Sequence, residues 1–188
     1  AAFTGTETFT YTVTDGDLGD TATVSMTVLD GAGGGGDGDI FVVPNTGVSD
    51  TITVTIEVPP GVVGGGEQFA LVYGEAGRPE NPPHGFKFAG LAFTLDAYVN
   101  GVWTHPFTFT PPLTLTIAYS DADVADIGQG DEELALFYQD GDEWRVDGIT
   151  IVERDLVQNR LLLTISHLTE FALFGWDNFY VYLPVVLR

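Results

Sequence analysis

Two short acidic runs are the residues in this chain best spaced to do chemistry. Asp15, Asp17 and Asp20 recur through a glycine-rich turn, and Asp121, Asp123 and Asp126 recur in the same way, followed by Asp131, Glu132 and Glu133. Calcium takes about six to eight oxygen ligands from carboxylates and carbonyls on pliant loops, and this spacing presents them. Ca2+ is therefore the one cofactor the sequence suggests, at either loop. Neither run follows the EF-hand pattern. Asp and Gly are equally the ordinary residues of turns, so a solubilising role competes.

Other constellations point away from catalysis. His84, His105 and His167 are scattered and lack the short spacings of a zinc site. Ser166, His167 and Glu170 name the residue types of a nucleophilic triad, but neighbours on a strand point to opposite faces. Acidic residues are so numerous that some pair will fall at glycosidase-like separation by chance, and only Asp96 lies within an apolar run. The glycine runs around Gly33 and Gly64 lack the Lys-Ser/Thr ending of a phosphate loop. The expectation is a chain that is not an enzyme. Tyr98, Trp103, Trp144 and Trp176 flank hairpins and could stack sugars, although aromatics also fill sandwich cores. Lys87, the only lysine, sits between Phe86 and Phe88; it is either a snorkelling amine or an isopeptide partner.

Composition narrows the partners. Lys and Arg total 6 against 27 Asp and Glu, for a formal charge of −21. Such a chain repels phosphate backbones and anionic lipid, which argues against nucleic acid. It contains no cysteine, so no disulfide staples it. With 44% hydrophobic residues it is too apolar for disorder. No apolar run approaches the roughly 20 residues of a transmembrane helix. The start, Ala1-Ala2-Phe3-Thr4, reads as that of a processed chain or part of a longer one.

The elements that must position these residues are strands. Threonines at 8, 10, 12 and 14 alternate with Phe9, Tyr11 and Val13, and Thr21, Thr23, Ser25 and Thr27 alternate with Ala22, Val24, Met26 and Val28. Thr51, Thr53 and Thr55 alternate with Ile52, Val54 and Ile56. Each run reads as a half-buried strand with threonine toward water. Further strands are expected near 67–73, 91–99, 102–109, 113–119, 133–139, 143–152, 160–166, 168–174 and 178–187, with one short helical turn within 121–127. Asn100-Gly101 and Asp140-Gly141 carry the signature of tight hairpins. The expected fold class is all-β, an antiparallel β-sandwich body with an N-terminal β-hairpin on a Gly-rich linker. Its boundaries are 1–30 for the hairpin, 31–39 for the linker, 40–175 for the sandwich and 176–188 for a C-terminal apolar strand. An isolated hairpin is marginal in water, so the first one is expected to complete a sheet elsewhere.

The stretch from Gly5 to Gly16 (GTETFTYTVTDG), followed by Ala22 to Val28 (ATVSMTV), resembles the last two strands of a bacterial cadherin-like or Ig-like repeat of the VCBS type. The remainder, including Phe93–Tyr98, Leu113–Asp121, Leu134–Tyr138, Ser166–Phe174 and Tyr182–Arg188, is similar to C-terminal regions of large bacterial surface proteins. The resemblance implies an extracellular or cell-surface location and a structural or adhesive, non-catalytic role. The expected assembly strands are Phe9, Tyr11, Val13, Val24, Met26 and Val28 at one end and Phe179, Val181 and Leu183 at the other. The expected partners are further copies in a fibre or neighbouring surface-protein domains. The alternative reading is a carbohydrate-binding β-sandwich module, with glycan as partner.

Overall fold

The computed structural model describes residues 5–14, 19–29, 39–44, 51–62, 67, 69–127 and 130–177. Alternation becomes strand wherever one face can be buried, and β4 (Thr53–Val58) is the plainest case. Its Val54, Ile56 and Val58 are buried while Thr53, Thr55 and Glu57 are not. The same rule builds β8 (Thr108–Ala118) and β12 (Arg160–His167), which bury Leu113, Leu115 and Ile117, and Leu161, Leu163 and Ile165. With β3 (Asp39–Pro44) and β11 (Ile149–Asp155), they form a five-stranded sheet in the order β11-β12-β8-β4-β3.

The facing sheet runs β1 (Gly5–Thr14), β2 (Gly19–Leu29), β5 (Phe69–Glu75), β6 (Phe86–Val99), β13 (Glu170–Trp176), β9 (Ala135–Asp140) and β10 (Glu143–Arg145). The short β7 (Val102–Trp103) pairs with β6. Every ladder in both sheets is antiparallel. Inward residues of the two sheets meet in one core, where Phe69, Leu71 and Tyr73 of β5 and Leu91, Phe93 and Leu95 of β6 join the aliphatic rows of the other sheet. The fold is an all-β sandwich.

The larger sheet is apolar on its outer side as well. Ala92, Phe137, Ala172 and Phe174 are buried there beside Phe86, Phe88 and Trp144. Burial on both faces explains why Phe171-Ala172-Leu173-Phe174 is continuously apolar, the pattern of a central strand. The segment between β5 and β6 covers this second cluster. Ala76 packs into it, and the Arg78 guanidinium lies 5.9 Å from the centre of the Phe88 ring.

Several expectations need correction in detail. One strand was expected over 143–152, but residues 146–148 turn, so Glu143–Arg145 joins one sheet and Ile149–Asp155 the other. Gly148 makes that crossing at φ +79°, and a Cβ there would lie 2.7 Å from His167 Nδ1. The runs at 102–109 and 113–119 are partly merged, because β8 continues through Pro111 and Pro112. β3 is an addition that the alternation did not disclose. The hairpin signals hold: Asn100 and Gly101 both have positive φ, and so does Gly141. A helical turn, α1 (Asp121–Val124), falls within 121–127.

The N-terminal hairpin is not left without a sheet. Val24–Leu29 of β2 pair with Phe69–Gly74 of β5 in the same chain. The register sets the Thr27 position level with Leu71 and the Met26 position level with Val72. In β1 the threonines at 10 and 12 are exposed, as expected of the threonine face. Residues 31–38 of the linker and 178–188, including Phe179, Val181 and Leu183, lie outside the described residues.

Candidate functional site

Two of the three carboxylates in the acidic turn at 121–126 are engaged by neighbouring residues. The Asp123 carboxylate accepts hydrogen bonds from the Ser120 N–H and Oγ–H, both at 2.7 Å, and from Thr51 Oγ1 at 2.7 and 2.8 Å. It caps the N-terminus of α1 and ties it to the start of β4. Asp121 accepts from Asn159 Nδ2 at 2.7 Å, and the Asp126 backbone carbonyl accepts from Lys87 Nζ at 2.7 Å. Lys87 is thus held by a carbonyl, with its backbone paired to Gly175. Of the other run, Asp20 lies in β2, and Asp15 and Asp17 fall outside the described residues. Among the described residues no three metal-ligating side chains converge.

The triad residue types are likewise separated by use. Ser166 Oγ donates to the Gly148 carbonyl at 3.3 Å. The His167 ring meets the Tyr138 ring edge-on at 4.3 Å and tilts against Phe171 at 6.2 Å. Its Nε2 is buried without a hydrogen-bond partner among the described residues. Burial pushes the imidazole pKa down, with Asp147 opposing. Nearby, Tyr138 donates to Asp147 at 2.9 Å. His167, the last residue of β12, packs against the turn that Gly148 makes.

This environment has a pH consequence. Because the folded pKa lies below the unfolded value of about 6.5, the unfolded chain takes the proton first. The contribution is complete above that value and is lost as pH falls through it toward the folded pKa. Glu170 works in the opposite sense, since burial raises its pKa and stability is lost as pH rises through the folded value. Comparing His167→Gln with the parent separates the two, because Glu170 and the relief of acidic self-repulsion are common to both chains. Between about pH 7.5 and 5.5 the parent melting temperature should fall relative to that of the variant. Equal responses would show that His167 is not held neutral.

The four expected sugar-platform residues stand on two hairpins and the end of β13. Tyr98 and Trp103 pair across the β6–β7 hairpin, where Trp103 is exposed, stacks on His105 at 5.3 Å and donates from Nε1 to Asp96 at 2.9 Å. Trp176 packs edge-on against Phe86 at 4.7 Å. Trp144 opens on a cavity. It stands opposite Gln139 in the β9–β10 hairpin and packs edge-on against Phe174 at 5.1 Å.

That cavity has a volume of about 400 Å³ and is lined by Gly77, Arg78, Pro79, Glu80, Asn81, Gln139, Asp142, Trp144 and Glu170. Three elements converge on it: the segment after β5, the β9–β10 hairpin and the first residue of β13. Thr169 Oγ1 donates to the Gln139 carbonyl at 3.2 Å and ties the β12–β13 turn to this wall. Sequence reasoning named Trp144 here but missed Arg78, Asn81 and Gln139, and took Glu170 only as a triad type. The one signal was the proline-bracketed run Arg78-Pro79-Glu80-Asn81-Pro82-Pro83, which belongs to no strand.

The edges of the larger sheet are the other functional candidate. β1 pairs with β2 over ten residues without a register shift, and no other described strand pairs its outer side. It contains no proline and no lysine, two residues that commonly block such edges. The apolar edge strand β11, which exposes Ile151 and Val152, is instead interrupted by a bulge between Ile151 and Glu153. Comparison with known protein families finds no matching family model, and comparison with curated proteins finds no match either.

Proposed function

We propose that the chain is an extracellular structural or adhesive surface module whose copies join by sharing β-strands. The observation that carries this reading is the attachment of the N-terminal hairpin. Among the described residues it pairs with the rest of the chain through one ladder, β2 on β5, at one margin of the larger sheet. Between β2 and β3 the sequence runs Gly-Ala-Gly-Gly-Gly-Gly-Asp-Gly, which sets few steric limits on where the hairpin docks. The same ladder made with the β5 of another copy keeps every backbone hydrogen bond and exchanges one subunit for another. Donor and acceptor surfaces differ, so the contact is head-to-tail and propagates into a fibre. The resemblance of residues 5–28 to the end of an Ig-like surface repeat supports the same setting.

The missing cysteines make the test clean. Met26 and Val72 are registered partners in the ladder, and such pairs fall within the Cα separation of about 4.4–6.8 Å that a disulfide spans. The double variant Met26→Cys, Val72→Cys should, on oxidation, give a ladder of covalent oligomers on a denaturing gel. Neither single variant should give more than a dimer. A double variant that closes its bridge only within each chain, at every protein concentration, removes strand sharing from the reading.

A further inference from the structure

The cavity beside Trp144 has no part in strand sharing, and its lining has the chemistry of a ligand site. Its polar side chains are poorly used by the protein itself. Among the described residues, Asn81, Gln139 and Glu170 make no side-chain hydrogen bond or ion pair, and Arg78 makes only its ring contact with Phe88. Exposed Arg78 and Asn81 and half-buried Gln139 and Glu170 face a shared space of about 400 Å³, within the range of small-molecule sites. Glu170 is partly withdrawn from water, and its pKa is raised by that burial. A half-buried carboxyl gains from any ligand group that donates a hydrogen bond to it.

The lining also selects among ligands. Glu80, Asp142 and Glu170 outnumber the single guanidinium of Arg78, so phosphates and other anions are disfavoured. An indole accepts a flat apolar face with little loss of entropy. Planar carboxylate, guanidinium and amide groups offer two adjacent acceptors, two adjacent donors, or one of each, which matches a pair of neighbouring hydroxyls. A ligand with one apolar face and a rim of hydroxyl pairs is a sugar ring. We propose that this cavity binds a neutral saccharide of one or two rings, stacked on Trp144 and held through its hydroxyls by Asn81, Gln139, Glu170 and Arg78. The surface module would then carry a glycan-recognition site on the outer side of its larger sheet.

The test uses the full chain with glucose, galactose, mannose, N-acetylglucosamine and their common disaccharides, read by tryptophan fluorescence and by chemical-shift perturbation. At least one sugar should bind saturably and shift the Trp144 indole resonance. Trp144→Ala should abolish that binding. Because Trp144 also packs on Phe174, Gln139→Ala and Glu170→Gln serve as second variants. Each should weaken binding at least about tenfold, the effect of one lost hydrogen bond to a charged or well-placed group, while leaving the melting temperature within a few degrees. An oligolysine peptide is the competing probe for the acidic lining. Saturable oligolysine binding without any sugar binding overturns the proposal, as does sugar binding that all three variants leave intact. No saturable binding of any sugar in the panel overturns it too.

Discussion

Phe93→Ala is expected to cost about 3–5 kcal/mol of stability, the range for emptying a large aromatic site in a close-packed core. Phe93 is fully buried, and its ring lies between Tyr73 at 5.4 Å and 16° and Phe171 at 5.4 Å and 25°. The three rings come from adjacent strands. Phe171 is the registered partner of Phe93, and Tyr73 pairs with Leu95 one step along the same face. Such cross-strand aromatic pairs add to the area they bury, and removing the middle ring breaks two at once. Residues on either side are held by ladder hydrogen bonds, so the site collapses only in part and a cavity persists. For a chain of this size the loss amounts to roughly ten degrees in melting temperature. Phe93→Leu should recover much of it, because volume matters more here than aromaticity. Val157→Ala is the control, since Val157 is 95% exposed and should shift stability by less than about 0.5 kcal/mol. Thermal melts of the four chains check the ordering; a Phe93→Ala chain that melts with the control would place the core elsewhere.

What the sequence disclosed and what it hid divide along a physical line. Burial on one face leaves a period-two trace, so β4, β8 and β12 are legible from Thr53–Val58, Leu113–Ile117 and Leu161–Ile165. Turn chemistry is equally local, and Asn100-Gly101 and Asp140-Gly141 make the hairpins they signal. Sheet membership is not local. Nothing in the run from Glu143 to Val152 tells that its halves belong to opposite sheets, because the change is made by the backbone of residues 146–148. The second apolar layer around Phe137 and Phe174 was visible only as an unbroken run, which alternation alone cannot assign to one face.

The candidate sites show the same division more sharply. Asp121, Asp123 and Asp126 have the spacing of ligands, yet Asp123 spends both oxygens on Ser120 and Thr51, a partner 72 residues away. The four aromatics were grouped by type; in the fold Tyr98 and Trp103 pair on the β6–β7 hairpin, while Trp144 and Trp176 border the outer cluster through Phe174 and Phe86. The cavity draws Arg78, Gln139 and Glu170 from segments up to 92 positions apart, a juxtaposition made only when β9 and β13 pair beside β6.

Deleting residues 1–30 should abolish assembly while leaving a folded, monomeric body. The body retains what holds the sandwich together. Inward rows from β4, β8 and β12 still face those from β5, β6, β9 and β13, and the Tyr73–Phe93–Phe171 stack is untouched. What the truncation exposes is the edge of β5, where Phe69–Gly74 lose their ladder with β2. An uncovered strand edge is a template for pairing, so the body should also become a better acceptor. Added as a separate peptide, residues 1–30 should bind it and compete with assembly of the full chain. A loss of melting temperature is expected, since one flank of the sheet is gone, but not a loss of cooperative unfolding. Sedimentation and electron microscopy of the full and truncated chains give the readout. If the truncated chain forms the same fibres, the hairpin is not the connector. The connector would then be sought at Phe179-Tyr180-Val181-Tyr182-Leu183, the other apolar run with strand alternation, by removing residues 178–188. If the truncated chain unfolds outright, the six residue pairs between β2 and β5 are part of the obligatory sandwich. A hairpin that its own subunit cannot release has nothing to donate, and the strand-sharing reading falls with it.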